Sequence, residues 1–150
     1  MSNSVQIQLL EQSPHEYELI EHPYPIKTAL QGAEYFKIEV GQTAPTLIIK
    51  ADNKFHALIF SGSRKQLDLQ EVASVLGCDK VKLASKTEVW EITGFPVGNI
   101  PMVGLSLPCV FDKKLFTYPF VFGGTGDPNI TLKISPSALQ QLNNVVAYID

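Results

Sequence analysis

The chain has 150 residues, of which 45% are hydrophobic and 18% charged, and its net charge is −3. These values are typical of a globular domain, and they disfavour a protein that binds nucleic acid through a broad basic surface. No apolar run approaches the roughly 20 residues of a membrane span, and the N-terminus lacks a signal-peptide pattern. We therefore predict a cytoplasmic protein with one domain over residues 1–150, in which residues 1–14 are a short N-terminal extension.

The histidines and cysteines are too scattered to predict a metal site. His15, His22 and His56 form no zinc-binding pattern such as HExxH. Cys78 and Cys109 stand apart without the spacing of metal ligands. We predict no metal and no cofactor, and we expect His56 and the two thiols to be packing residues.

The first half of the chain predicts strands and one short helix. Residues 16–22 alternate apolar and charged side chains, which is typical of a half-buried strand. Thr28 is a suitable N-cap for a helix that continues to Tyr35. Residues 46–51 and 55–60 also alternate, and the polar turn between them predicts a hairpin.

Two capping patterns predict the next helices. Asp68 precedes apolar residues at positions i, i+3, i+4 and i+7, and Gly77 follows them as a C-terminal signal. Residues 79–84 predict a short strand. Ser85 then begins a capping box ahead of a second helix, which Gly94 ends.

The second half of the chain is dominated by strands. Residues 107–112, 118–124 and 130–135 each predict a strand, Ser135 caps a last helix, and residues 144–150 predict a closing strand. Because these strands mostly follow one another, the pattern favours an α+β fold. We predict a mixed, largely antiparallel sheet of about seven strands, flanked by four helices.

The loop after the second capping box carries the strongest functional signal. Residues 93–101 contain four glycines and prolines, which let a main chain adopt positive φ and approach a ligand closely. The segment Gly98–Pro101 therefore predicts a backbone wall of a pocket. Composition alone leaves a plain irregular connection as the alternative.

The order of several segments resembles a family of small editing domains. These segments are SGSRKQLDLQEVASVLGCDKVKLAS, TGFPVGNIPMVGL and the later VFD, FGG and LKISPSAL, and together they span roughly residues 15–150. They are similar to segments of the YbaK and prolyl-tRNA-synthetase-associated domain family. The resemblance implies hydrolysis, in trans, of the ester between a mischarged amino acid and tRNA. It also implies the aminoacyl-adenosine end of tRNA as partner, an aminoacyl-tRNA synthetase as a second candidate partner, and a monomer or weak homodimer.

The resemblance also suggests which residues form the site. An aminoacyl ester is already activated, so backbone amides can hold its carbonyl oxygen while a water or a substrate group is oriented. The residues expected to be catalytic are Gly98, Asn99, Ile100 and Thr46. Those expected to contact substrate are Thr28, Lys50, Pro101, Gly124 and Thr125.

One position departs from the family pattern. Studied relatives carry a lysine directly before the Thr-Leu pair, where this chain has Pro45. Lys50 follows five residues later and is predicted to face the opposite side of the strand. Two interpretations remain open: hydrolysis through backbone amides with Thr46 and Asn99 orienting the ester, or an inactive domain that binds an amino acid, an aminoacyl-tRNA end or a protein.

Overall fold

The computed structural model describes residues 4–150, and the first three residues of the predicted extension lie outside this part. No helix in the described range is long and apolar enough to cross a bilayer. Its helices are α1 (Ser4–Gln12), α2 (Ala29–Phe36), α3 (Leu69–Leu76), α4 (Lys86–Thr93) and α5 (Pro136–Gln141). Its strands are β1 (Tyr17–Glu21), β2 (Thr46–Ala51), β3 (Lys54–Ile59), β4 (Val81–Leu83), β5 (Pro108–Asp112), β6 (Val121–Gly124), β7 (Ile130–Ile134) and β8 (Asn144–Ile149).

The described strands form two sheets. The smaller sheet has the antiparallel order β1-β7-β6, and the larger has the order β4-β2-β3-β5-β8. Strands β3, β5 and β8 pair in parallel, whereas β2 pairs antiparallel with both of its neighbours. The predicted α+β fold is confirmed, but the eight strands divide between two sheets instead of forming one.

The predicted caps define α3 and α4. The Asp68 carboxylate accepts hydrogen bonds from two backbone amides of the first turn of α3, and Gly77 ends that helix with φ of +68°. Ser85 and Glu88 form the complete capping box of α4, and Gly94 ends that helix with φ of +76°. Both glycines occupy the left-handed conformation that side chains rarely adopt, which explains the sharp helix ends.

Helix α1 occupies most of the segment that the sequence analysis assigned to a short N-terminal extension. It buries Leu10, which is 1% exposed, in a core cluster that draws residues from both sheets. Gln6 donates a hydrogen bond from Nε2 to the carbonyl oxygen of Gly104 at 3.2 Å. The helix has no acidic residue in its first turn, so the sequence lacks one of the signals that normally mark a helix start.

A buried ion pair joins β5 to the loop after β3. Arg64 donates from Nε and Nη2 to both carboxylate oxygens of Asp112, at 2.6 and 2.9 Å, and Asp112 is fully buried. The backbone amides of Ser61 and Lys114 donate to the same carboxylate at 2.8 and 2.9 Å. Burial opposes ionisation of Asp112, but these hydrogen bonds hold its pKa below the ordinary value.

Strand β6 joins the two sheets beside the loop that follows α4. The amide of Ala44 donates to the carbonyl oxygen of Phe122 at 2.8 Å, and the amide of Met102 donates to that of Gly124 at 3.0 Å. A Cβ atom at Gly124 would lie 2.5 Å from the carbonyl oxygen of Ile100. Only glycine therefore allows the loop after α4 and β6 to lie this close. This contact holds in place the segments that form part of the candidate site described below.

Candidate functional site

A cavity of about 270 Å³ lies where α2, the start of β2, the loop after α4 and the β6–β7 turn meet. Residues 26–29, 43–47, 97–100 and 122–124 contribute to its wall. The wall is mainly apolar, and its only charged residues in the described chain are Lys27 and Asp127. The cavity opens to solvent on one side, where exposed residues of the segments 26–29 and 97–100 line it.

The structure brings most of the predicted site residues together. The predicted residues that line the cavity are Thr28, Thr46, Gly98, Asn99, Ile100 and Gly124. The predicted residues that lie outside its lining are Lys50, Pro101 and Thr125. The residues that line the cavity come from four separate segments of the chain, so they share the site only through the tertiary fold.

A tight turn shapes the backbone wall. The amide of Asn99 donates to the carbonyl oxygen of Pro96 at 3.1 Å, and Gly98 has φ of +89°. This is the geometry of a β-turn whose third residue requires positive φ, which explains glycine at position 98. The turn consumes the Asn99 amide, so the prediction that this N–H is available to a carbonyl oxygen is wrong. The amides of Gly98 and Ile100 donate no hydrogen bond to any residue in the range 4–150.

The side chain of Asn99 has a structural contact of its own. Its Nδ2 donates to the carbonyl oxygen of Gly126 at 2.7 Å and so ties the loop after α4 to the β6–β7 turn. Thr125 shapes the same turn, because its hydroxyl donates to the carbonyl oxygens of Asp127 and Ile130 at 3.3 and 2.9 Å. Thr125 is thus buried behind the cavity wall instead of reaching the ligand space as predicted.

Thr46 presents a hydroxyl without a protein partner. Its Oγ1 is buried and forms no hydrogen bond within the described chain. Leaving a buried hydroxyl unpaired costs about 1–3 kcal/mol, so such groups are normally satisfied. Thr28, by contrast, accepts a hydrogen bond from the amide of Gln31 at 3.1 Å as the N-cap of α2. Of these two threonines on the cavity wall, Thr46 is the one whose hydroxyl is buried and has no partner in the described chain.

A histidine and a threonine pair at the β7 side of the cavity, which the sequence analysis did not predict. His22 is 5% exposed, its Nδ1 lies 2.7 Å from the carbonyl oxygen of Tyr24, and its Nε2 lies 3.0 Å from Thr131 Oγ1. A carbonyl oxygen can only accept, so Nδ1 carries a proton, and in the neutral ring Nε2 accepts from Thr131. Thr131 lines the cavity. His22 and Thr131 are 109 positions apart, so no local sequence signal could reveal the pair.

Lys50 is engaged outside the cavity. Its Nζ lies 3.0 Å from a carboxylate oxygen of Glu88 and 5.5 Å from the ring centre of Phe55. The pKa of Glu88 is lowered to about 2, first by the backbone hydrogen bond from Ser85 and then by the hydrogen bond from Lys50. Pro45, Thr46 and Leu47 all line the cavity, so the position of Lys50 further along β2, and not the alternation of side chains, leaves Lys50 outside the lining. Lys50 is therefore not placed to contact a ligand there, and Pro101 is likewise buried away from the lining.

The two cysteines of the described chain differ in burial. Both are free thiols, and Cys109 is fully buried in the core between the sheets. Burial raises the pKa of the Cys109 thiol to about 12, so a thiolate nucleophile is not formed there at neutral pH. No group of three potential metal ligands comes together within residues 4–150.

The family model of the aminoacyl-tRNA editing domain matches residues 23–142. The chain belongs to this family. It is 29% identical to the proline–tRNA ligase of Geobacter metallireducens in an alignment 142 residues long that covers 89% of this chain and 24% of the ligase. It is 31% identical to that of Solidesulfovibrio magneticus over 124 residues, which is 82% of this chain and 21% of the ligase. The chain thus spans about a quarter or less of the curated relatives' length.

Solved structures support the same assignment over nearly the whole chain. One is a crystal structure of a protein proposed to be a trans-editing enzyme for prolyl-tRNA synthetase. Its TM-score is 0.86 at 28% identity, with 100% of this chain and 97% of that chain covered. A crystal structure of a hypothetical protein gives a TM-score of 0.88 at 26% identity, with 97% of each chain covered. The resemblance predicted from the sequence is confirmed.

Proposed function

We propose that the protein is an aminoacyl-tRNA deacylase that hydrolyses the ester of mischarged tRNA in trans. Membership of the editing-domain family and the relatives among proline–tRNA ligases support this activity. The observation that carries the proposal is the set of unpartnered donors on one cavity: the amides of Gly98 and Ile100 and the hydroxyl of Thr46. In this proposal residues 1–150 act as one cytoplasmic domain, and the tRNA 3′ end is the partner.

The donors suit the chemistry of ester hydrolysis. Water adds to the ester carbonyl carbon, and negative charge develops on the carbonyl oxygen, which the amides of Gly98 and Ile100 and the Thr46 hydroxyl stabilise. The bond from the carbonyl carbon to the ribose oxygen then breaks, and the ribose oxygen takes up a proton. The products are the free amino acid and uncharged tRNA. Donors that are already fixed by the fold need no reorganisation during the reaction, which makes them effective.

The cavity volume favours a small aminoacyl group as the part of the substrate that enters. At about 270 Å³ the cavity lies near the lower end of ligand pockets, which are roughly 300–1,000 Å³. Phe36 and Phe122 contribute aromatic wall. A rigid wall rejects a larger side chain by steric clash, whereas hydrophobic binding distinguishes one methylene by only about 1–3 kcal/mol. The selectivity we propose is therefore exclusion of large amino acids.

A second candidate function follows from Pro45. In this candidate the domain binds an amino acid, an aminoacyl-tRNA end or a protein partner through the same cavity and does not hydrolyse the ester. Pro45 lines the cavity, and Lys50 is paired with Glu88 outside it. The resemblance to the editing-domain family implies a lysine at position 45, so the cavity lacks the charge that the family pattern would place there. We favour hydrolysis because the backbone donors do not depend on the side chain at position 45.

A panel of mischarged tRNAs tests the two candidates. The purified protein is incubated with tRNAs esterified with small and large amino acids, and release of free amino acid is followed over time. Deacylation confined to small amino acids would support the proposal. Binding of the same tRNAs without any release would support the binding candidate. Equal release of small and large amino acids would contradict exclusion by the cavity wall.

A further inference from the structure

The cavity has one cationic residue in its wall, Lys27, on the segment between β1 and α2. The Nζ of Lys27 forms no hydrogen bond, ion pair or aromatic contact with any residue in the range 4–150, and the residue is exposed. Lys50 is paired with Glu88 outside the cavity, and position 45 is proline. Lys27 is thus the cation that the described cavity wall leaves available to a ligand.

The backbone around Lys27 is held in place while its side chain is free. The amide of Lys27 donates to Oε1 of Gln31 at 2.9 Å. The next residue, Thr28, accepts from the amide of Gln31 as the N-cap of α2. One glutamine thereby fixes both residues, so the lysine is anchored at the opening of the cavity and only its side chain must be ordered when a ligand binds.

The position of Lys27 indicates which part of the substrate it meets. The exposed members of the cavity wall are Lys27, Thr28, Val97, Gly98 and Pro128, so the cavity opens beside them. If the aminoacyl group enters the cavity, the nucleotide that carries it leaves through this opening. The anion nearest to the ester is then the phosphate on the 5′ oxygen of the terminal adenosine. A lysine ammonium is a good partner for a phosphate oxygen.

We propose that Lys27 binds the 5′ phosphate of the terminal adenosine and thereby holds the aminoacyl ester in the cavity. This inference rests on the proposed function, because it takes the aminoacyl end of tRNA as the ligand. Asp127, the only anionic residue in the described cavity wall, lies on the segment that a 3.2 Å backbone hydrogen bond from Ile26 to Pro128 joins to that of Lys27, and its carboxylate already accepts from the amide of Asn129 at 2.9 Å. Because the net charge of the chain is −3, the protein as a whole does not attract nucleic acid. Binding of the tRNA end therefore depends more strongly on individual cations such as Lys27.

Two stable ligand analogues that differ by one phosphate test the proposal. The probes are 3′-alanylamido-3′-deoxyadenosine and its 5′-monophosphate, in which an amide replaces the ester so that no turnover occurs. Binding of each to the full chain is measured by NMR titration or calorimetry. The wild-type protein should bind the monophosphate about fivefold more tightly than the nucleoside, as expected for a partly exposed ion pair. Raising the salt concentration should reduce this preference.

Variants assign the preference to Lys27. Lys27→Met keeps the length of the side chain without its charge, and it should abolish the preference for phosphate while leaving affinity for the nucleoside unchanged. Lys27→Arg should retain the preference. Lys65→Met is the matched control, since Lys65 is an exposed lysine outside the cavity lining, and it should behave as wild type.

The outcomes separate this proposal from the proposed function. Equal affinity for both probes in the wild type, or a preference that persists in Lys27→Met, would overturn the role of Lys27 even if mischarged tRNA is hydrolysed. A preference that depends on Lys27, with no deacylation of any tRNA, would support the phosphate site and refute the hydrolase. Failure of the wild type to bind either probe would overturn the role of Lys27, and it would overturn the proposed function as well if no mischarged tRNA is deacylated.

Discussion

Replacing Thr46 with valine tests whether its hydroxyl is kept for a ligand. Valine has nearly the same shape as threonine but no hydroxyl. Thr46 Oγ1 is buried without a hydrogen-bond partner in the described chain, and an unpaired buried hydroxyl costs about 1–3 kcal/mol. We therefore expect Thr46→Val to raise the free energy of unfolding by about 1 kcal/mol. For a chain of this length, that gain raises Tm by about 2–4 °C.

The same substitution should lower activity. If the Thr46 hydroxyl donates to the ester oxygen in the transition state, its loss should reduce kcat/KM by about 10- to 100-fold, or about 1.4–2.7 kcal/mol. Calorimetry and deacylation of the most rapidly cleaved mischarged tRNA are measured on the same preparations. The opposite signs of the two effects distinguish a ligand-directed hydroxyl from a structural one.

Thr43→Val is the matched control for stability. Thr43 also lines the cavity, but its hydroxyl donates to the carbonyl oxygen of Val40 at 2.6 Å. Removing that hydrogen bond should lower the free energy of unfolding by about 1 kcal/mol. A Thr46→Val protein that is less stable than wild type and hydrolyses the ester at the wild-type rate would refute the reasoning.

Four further substitutions test the backbone wall and its support. Gly98→Val and Gly77→Val place a side chain at φ of +89° and +68°, in each case with open space around the new Cβ. Both variants should lose about 1–2 kcal/mol of stability from backbone strain, but only Gly98→Val should lose deacylation activity. Gly124→Ala puts a Cβ 2.5 Å from a carbonyl oxygen of the loop, and kcat/KM should fall by about tenfold or more; wild-type kinetics would contradict the close approach. Arg64→Ala leaves Asp112 buried and unpaired and should cost about 3–5 kcal/mol in urea unfolding at pH 7. The pKa of Asp112 is lower in the folded than in the unfolded protein, so its ionised carboxylate stabilises the wild-type fold above about pH 4. This stabilisation is lost as pH falls through the folded-state pKa. A wild-type free energy of unfolding that stays constant down to pH 2 would contradict this role.

The helix caps could be predicted because they depend on residues close together in the sequence. Asp68 and Ser85 each accept from amides two or three residues ahead, and a glycine follows each helix. The same local reasoning failed for α1, because that helix is stabilised by Leu10 in a core built from distant strands. The division into two sheets could not be predicted either, because alternation of apolar and polar residues predicts a strand and its buried face but not which strand pairs with it.

The candidate site was predictable only in part, for a related reason. Glycine and proline content located the turn at Gly98, but the alternation of β2 did not identify the lining residues, because Pro45, Thr46 and Leu47 all line the cavity and Lys50, expected to contact substrate, does not. Which amides remain free is decided by hydrogen bonds that form on folding. Asn99 was therefore assigned a free amide that the turn consumes. Thr125 was predicted to touch substrate, although its hydroxyl is committed to two carbonyl oxygens of its own turn.

A site built from main-chain donors changes what a side-chain substitution implies. The orientation of the Gly98 and Ile100 amides depends on the turn after α4 and on the close approach of Gly124, and neither depends on position 45. Proline at position 45, where the family resemblance implies a lysine, therefore lacks that charge without disturbing these donors. Without a lysine at position 45, the site lacks a cation there to bind the phosphate of its ligand. A lysine on another segment can bind that phosphate instead if it lies at the opening of the cavity. When backbone amides stabilise the reacting ester, substitutions that alter phosphate binding can therefore leave those amides unchanged.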